Sequence, residues 1–463
     1  MLVLVLGRRG ELLNDPDTYL HVAAGQWMLA HHALPVADPF SHSMAGAVWV
    51  PHEWLAELVF ALAYDGAGWA GVVLATALAF ALAMGLLTRG LLDRFEPLTG
   101  LIATISAAII LEPHLIARAH ALALPLMVLW ARETIAARDR GRAPSWWLLP
   151  VLVLWINLHA SALAGVVLAL YLGFEAVVQA TSDRAAEARS WGLFGGLSLL
   201  ATLCTPNGVE GVLLPFRLSA MPVLQKSFVE WQSPDFQHFH PLDLWIAALV
   251  LGLAAGLRLP VLRLVVVAAL LFGTLAHQRH ADLLAVMAPL LLGRSLGADL
   301  AARMATPRPS PVARFMARLA MPAPAAGLGL AVVLALLLGG ATLVVQPQRT
   351  HDDVTPDKAL AAARAAGLDG NLLNDEGFGG YLIQQGVPVF IDGRVELYGD
   401  QFLATYLAAM AGREPELDDV LERHHIAWAM LAPGSVAAQT LDHRPGWRRI
   451  YADKVAVVEA RAP

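Results

Sequence analysis

Residues 66–88 read GAGWAGVVLATALAFALAMGLLT, 23 positions without a charged side chain, and Arg89 follows at once. A helix of about 20 apolar residues is long enough to cross the hydrocarbon core of a bilayer. This stretch qualifies, and similar runs follow at 98–112, 117–132, 146–158, 160–178, 191–205, 242–257, 260–276, 281–293 and 325–346. Asn157, His159 and Ser161 interrupt the 146–178 stretch and leave a partly re-entrant pair open. The whole chain of 463 residues is 57% hydrophobic and 15% charged, with a mean hydropathy of +0.56. A soluble domain carries about a quarter charged residues, so a soluble globular enzyme is excluded. The expected fold is an α-helical polytopic membrane protein with about 10–11 transmembrane helices and a small C-terminal α/β domain.

Charge is divided unevenly along the chain. Residues 347–463 hold 17 Asp and Glu against 11 Lys and Arg, so the whole net charge of −6 resides in the tail. No basic surface follows from this balance, and nucleic acid is not an expected partner. The lone Cys204 excludes an intrachain disulfide and a cysteine-built zinc site. No internal repeat is visible.

Arginines set the expected orientation, because short cytoplasmic loops are enriched in them. Arg89 and Arg94, then Arg132 to Arg142, Arg184 and Arg189, Arg258 and Arg263, and Arg294 to Arg318 fall on one side of the alternating spans. That side is read as cytoplasmic, with 303–324 as a cytoplasmic linker. The opposite side receives residues 11–65, the turns at 112–117 and 277–280, the loop 206–240 and everything after about 347. All 16 histidines then fall on this outer side or at its surface, and none in the Arg-rich loops. The apolar run MLVLVLG at 1–7, followed by Arg8 and Arg9, is too short to span and reads as the stump of a first helix; a full span there would make eleven.

The outer segments carry the chemistry. Asp15 suits a helix N-cap, Pro16 the first helical position, and Asp17 the first turn. Capping accounts for Asp15 and partly for Asp17. Asp17 and His21 share one helix face at i, i+4, a pair suited to a metal or a shared proton, on a helix whose Leu20, Trp27 and Met28 suit a membrane surface. His52-Glu53 precedes a second apolar helix at Trp54. It is not the zinc protease motif HExxH, whose second histidine is missing, and an interfacial helix start explains it as well as a site does. Further polar clusters sit at outer helix ends: Glu112 and His114 with Arg118 and His120, Asn157 with His159, and His277 to His280 with Asp282. Ionisable groups at membrane depth are costly and mark functional cavities by default. Arg118 and Arg279 stand at outer span ends against the positive-inside trend, where a guanidinium fork suits a phosphate. The alternative is snorkelling to headgroups. His114 and His280 are supporting phosphate donors or metal ligands.

The tail reads as strands at 372–375 and 388–392, helices at 401–412 and 416–425, a strand at 426–431 and a closing hairpin at 449–461. Glu376 to Gly380 is a glycine-rich turn and a weak nucleotide signal. Asp392-Gly393-Arg394 reads as a turn with a local ion pair. The tail is expected to fold by itself and to hold no cofactor.

Taken together, DPDTYLHVAAGQWML from Asp15, ADPFS from Ala37, HEWL from His52, NLHAS from Asn157, TPNG from Thr205 and FIDGRVELYG from Phe390 resemble bacterial membrane proteins of the GT-C-like glycosyltransferase type. The resemblance covers most of the chain. It implies a bacterial cytoplasmic (inner) membrane location, an extracytoplasmic tail and a large first outer loop with acidic residues. It also implies a polyprenyl-phosphate sugar donor and a glycan, lipid or protein acceptor on the outer face. Asp17 and Asp15 are then the catalytic candidates, and Arg279, Arg118, His280 and His114 the donor-phosphate candidates. His21, His52, Glu53 and His159 are supporting residues or ligands of a divalent metal ion. The chain departs from the pattern in lacking a full first span. Two rivals remain: a transporter or flippase of a lipid-linked or anionic substrate, which needs polar groups near the midplane, and a non-enzymatic envelope-assembly scaffold that docks through the tail.

Topological reporter fusions at Arg140 and Asp400 are expected to give opposite signals. The same signal from both would separate the candidate residues into different compartments.

Overall fold

The computed structural model describes every residue except 1, 9, 182, 304–309, 322, 323, 346–353 and 463. Met1, Arg9, residues 304–309, 322 and 323 of the expected 303–324 linker, His351 and the expected domain boundary at 346/347 therefore lie outside the described residues. In the amino-terminal part the helices are α1 Leu2–Gly7, α2 Pro16–His31, α3 Trp54–Leu92, α4 Pro97–Leu111, α5 Ala119–Asp139, α6 Leu148–Leu158, α7 Ala162–Val178 and α8 Arg184–Ala201. There follow α9 Gly208–Ser219, α10 Pro222–Ser227, α11 Pro241–Ala254, α12 Val261–Ala276, α13 Ala281–Arg303, α14 Pro311–Leu319 and α15 Ala325–Val344.

Each of the ten expected spans coincides with a helix. Four helical stretches among the described residues are long and apolar enough to cross a membrane: Trp54–Leu92, Pro97–His114, Gln278–Arg303 and Ala325–Val344. The apolar helices α6, α7, α11 and α12 are shorter. α3 begins twelve residues before the apolar run read from sequence, and bends at Gly68, whose φ of +59° no side-chain-bearing residue adopts cheaply. Its early part is amphipathic because one face packs on α2.

The long helices run between two chemically different ends. At one end, Arg263 reaches Asp139 at 2.6 Å and Glu175 at 3.4 Å, Arg94 lies 3.8 Å from Asp139, and Arg138 lies 3.6 Å from Glu175. Arg294 donates to the Asp139 carbonyl beside them. Arginines from four separate segments thus close one end of the bundle with paired charges. The histidines at the starts of α3, α5 and α13 gather at the other.

In the tail, α16 Asp357–Ala365, β1 Asn371–Asn374, α17 Gly379–Gln384, α18 Val395–Met410, α19 Glu414–Arg423, β2 Ile426–Leu431, α20 Val436–His443, β3 Trp447–Ala452 and β4 Val457–Arg461 form an α/β unit. The sheet order is β1-β2-β4-β3, with β1 parallel to β2 and the other pairs antiparallel. Alternation along the strands sends Leu373, Ala429 and Leu431 to one face, under α18 to α20, and Leu372, Trp428 and Met430 to the other.

Three readings need correction. Residues 388–392 are not a strand: only Val389 makes an isolated bridge, to Ser41. The Asn374 side chain takes the place of a ladder there, accepting from Phe390 N at 2.8 Å and donating to Ile391 O at 2.8 Å. The helix expected at 401 begins at Val395. Finally, α2 does not lie on a membrane surface. Leu20 and Met28 are buried, and Tyr19, Leu20 and Ala23 belong to the apolar cluster of the tail sheet.

α2 is thus clamped between α3 and α17. Glycines in two turns of the tail make this possible, because a Cβ on Gly380 would overlap the Pro16 carbonyl oxygen and one on Gly393 would overlap the Asp17 carboxylate. Arg394 locks the arrangement from a second side: buried, it pairs with Asp392 and with Asp38 at 2.7 Å each and lies over Trp49 at 4.7 Å. The Asp392-Gly393-Arg394 turn does contain the expected local ion pair.

Gly380→Ala is expected to push α17 off α2 and to lower stability by about 1–3 kcal/mol. Gly377→Ala, whose Cβ meets only ordinary contact distances, should stay within about 0.5 kcal/mol. Thermal unfolding of the purified variants checks both.

Candidate active site

The site starts at the amino end of α2. Asp15 caps the helix, accepting from Asp17 N at 2.9 Å, and Pro16 occupies the first helical position. Thr18 Oγ1 donates to Ala117 O at 2.9 Å, and Ala117 N donates to Leu12 O at 2.9 Å. These two bonds hold the chain just before Arg118 against α2. Arg118 then pairs directly with Asp17, lies 3.7 Å from Asp15 and reaches Glu230 Oε2 at 3.2 Å. The other Glu230 oxygen lies 3.3 Å from Arg279 Nη1, and the Arg279 guanidinium lies 4.2 Å from the Trp231 ring. Asp17, Arg118, Glu230 and Arg279 therefore form one row of alternating charge.

A second group surrounds Glu53, the residue before α3. His159 approaches its carboxylate at 3.5 Å, His21 at 3.8 Å and His52 at 3.9 Å. His21 also lies 3.8 Å from Glu57, so its ion-pair partners are these two acids and not Asp17, the partner expected from sequence. Burial raises the Glu53 pKa, but His52, His159, His21 and Arg118 outweigh it and bring it to about 2. His159 Nδ1 accepts from Ser161 N at 3.2 Å, which leaves the proton of the neutral ring on Nε2, facing Glu53.

Two chambers meet at these residues. The larger, about 560 Å³, has apolar walls including Ile110, Phe216, Leu242 and Leu283, and carries His114, His120, His159 and His280. The smaller, about 320 Å³, is walled by Asp17, His21 and Glu57 on one side and by Glu376, Gly393 and Glu396 of the tail on the other. Asp15, His52, Glu53, Arg118, Glu230 and Arg279 line both. All ten residues named as catalytic, phosphate-binding or supporting candidates line one chamber or the other, whereas Glu112, Asn157 and His277 of the polar clusters line neither.

Glu230 and Glu376 were not found from sequence. Glu230 lies between Val229 and Trp231 in a loop that also holds Lys226 and Asp235, and nothing in the sequence set it apart from them. Glu376 stood in the glycine-rich turn, whose glycines serve close helix approach instead of a nucleotide. Burial, then the Arg118 charge opposing it and the Asp15 charge reinforcing it, leave Asp17 raised to about 6. Burial, with the charges of Asp17 and Asp375, pushes Glu376 up to about 8. A carboxylate able to accept a proton and a carboxylic acid able to donate one thus face the same chamber near neutral pH.

Of the expected metal ligands, His21, His52 and His159 gather around Glu53, each 3.5 Å or more from its carboxylate. Among the described residues no group of three or more His, Cys, Asp or Glu side chains is arranged to hold a metal ion. Asp15 and Asp17 both face the Arg118 guanidinium, which supplies the positive charge at that point.

No protein-family profile and no curated protein sequence matches this chain. Among solved structures, the apo form of the Archaeoglobus fulgidus oligosaccharyltransferase is similar over 93% of this chain and 69% of its own, with a TM-score of 0.48 and 11% identity.

Glu376 offers a check on this electrostatic picture. The unfolded chain releases its proton near 4.5 and the folded chain near 8, so stability contributed by the neutral form falls as pH rises between these values. Glu376→Gln removes that loss. Its melting temperature relative to wild type is expected to climb from pH 4.5 to pH 8 and then to level off; a constant difference would contradict the raised pKa.

Proposed function

We propose that the chain is a membrane-embedded glycosyltransferase that moves a sugar from a polyprenyl-phosphate donor to an acceptor hydroxyl on a glycan, lipid or protein at the outer face of the bacterial inner membrane. The observation that carries this reading is the pair of chambers, one largely apolar and one acidic, joined by a wall that holds two arginines and several carboxylates. A lipid-linked donor needs an apolar cavity with cations for its phosphate. An acceptor hydroxyl needs a base at the far side of the reacting carbon. The larger chamber suits the donor, its prenyl chain along Phe216, Leu242 and Leu283 and its phosphate at Arg279 and Arg118, with His114 and His280 as further donors. The smaller chamber suits the acceptor.

In the reaction, the acceptor oxygen bonds to the anomeric carbon while the bond from that carbon to the phosphate oxygen breaks. The electron pair leaves with the phosphate, whose charge the guanidiniums stabilise, and Asp17 takes the hydroxyl proton. Glu376, neutral near pH 7, orients the acceptor by donating a hydrogen bond. We assign the counter-charge beside Asp17 to Arg118 and not to a divalent metal. A transport path would continue polar groups through the bundle, whereas the network of Arg94, Arg138, Arg263, Asp139 and Glu175 closes the opposite end with paired charges. An exclusively scaffolding role leaves the two-chamber arrangement without a purpose.

Asp17→Asn should retain prenyl-phosphate binding and lower transfer by about 10²–10⁴-fold. Arg279→Ala should weaken donor binding by about tenfold or more, with Arg279→Lys restoring only part because the fork is lost. Donor binding and single-turnover transfer in purified protein check this, and wild-type transfer by Asp17→Asn would defeat the assignment of the base.

A further inference from the structure

Glu230 occupies the position at which the preceding reading puts a phosphate. Its two oxygens are divided between the two arginines, 3.2 Å to Arg118 and 3.3 Å to Arg279, as two unesterified oxygens of a phosphate would be. Among the described residues it is the one carboxylate paired with Arg279, whereas Arg118 keeps Asp15 and Asp17 as well. Charge makes this pairing an obstacle. Asp15, Asp17 and Glu230 already outnumber Arg118 and Arg279, so an added phosphate would enter a wall that carries excess negative charge. If Glu230 withdraws as a phosphodiester arrives, one singly charged anion replaces another; a monoester, with a second ionisation near pH 6, adds up to about one further negative charge.

The local architecture says which atoms are free to move. Glu230 lies in a single helical turn, Val229–Trp231, whose backbone is strapped to the Arg279 turn on both sides. Gln278 Nε2 donates to Val229 O at 2.5 Å, His277 Nδ1 donates to Trp231 O at 2.5 Å, and Gln278 N donates to Gln232 O at 3.0 Å. Trp231 is buried in the tail core and supports the Arg279 guanidinium from below. The Glu230 side chain is by contrast 38% exposed, facing both chambers. A rotation about its side-chain bonds would release both arginines while the loop and the guanidiniums stay in place.

We infer that Glu230 is a resident anion of the phosphate subsite, exchanged by side-chain rotation for a phosphate mono- or diester that offers two free oxygens to Arg118 and Arg279. It rests on the phosphate reading of these arginines. Glu230 then sets the affinity of the subsite: it holds the arginines in register when the subsite is vacant and competes with every anion that enters.

Farnesyl phosphate and inorganic pyrophosphate, titrated by calorimetry into purified full-length protein in detergent, test the exchange. Glu230→Gln is expected to bind farnesyl phosphate about tenfold tighter than wild type, because a charged competitor for both arginines has been removed. Glu230→Asp, too short to bridge, should show a smaller gain, and Glu230→Gln combined with Arg279→Ala should show none. Glu230→Ala repeats the measurement if the Gln variant does not fold. Equal or weaker binding by the Glu230 variants, with Arg279→Ala still losing the ligand, would overturn the exchange and leave the phosphate reading standing. A gain that survives Arg279→Ala would also overturn it. Binding of neither probe to any form would remove the phosphate reading and this inference together. A gain for pyrophosphate alone would support the exchange and assign the subsite to a free phosphate compound in place of a lipid.

Discussion

The contact on which the rest depends is the Arg118 guanidinium between Asp17 and Glu230. It joins the first turn of α2, the start of α5 and the loop before α11, segments far apart in sequence. Partly buried guanidinium and carboxylate groups are stable only when each finds partners. Asp15 and Asp17 are therefore held beside Arg118, and with Glu230 they give the two chambers a common wall. Without Arg118, Asp15 and Asp17 would face each other at the end of one helix with only the helix N-terminus to compensate them.

The tail takes part in the same constraint. Gly380 lets α17 touch the backbone of α2 at Pro16, and Arg394 ties the tail to Asp38 of the first loop. Through this clamp Glu376 reaches the chamber that holds Asp17. The soluble-looking quarter of the chain thus supplies one wall of the site, and Trp231, which supports Arg279, is buried in the tail's own core.

Much of this was legible in the sequence, for reasons that can be traced to particular residues. Apolar runs such as 66–88 have no structural reading other than buried or lipid-facing helix, so the helices were found. Ionisable residues at helix ends, such as Arg118, Arg279 and His159, stood out because their surroundings were apolar. What escaped depends on contacts between distant segments. Phe390 and Ile391 have the composition of a strand, but the Asn374 side chain satisfies their backbone groups, so no ladder forms. Leu20 and Met28 looked lipid-facing because nothing in α2 announces that α3 and the tail cover it. Glu376 was hidden by the glycines beside it, which suggested a phosphate loop and serve helix docking. Glu230 acquires meaning only when Arg118 and Arg279, separated by more than 100 positions, meet on its two oxygens.

The proposed function requires the wall between the chambers to bind and release a lipid phosphate. The most direct measurement is an experimental structure of the full-length protein in a lipid nanodisc with a prenyl phosphate. Phosphate density is expected within hydrogen-bond reach of Arg118 and Arg279, with the prenyl chain in the larger chamber and the smaller chamber open to the acceptor side. Phosphate bound instead among Arg94, Arg138 and Arg263, or a continuous polar passage from one end of the bundle to the other, would contradict it.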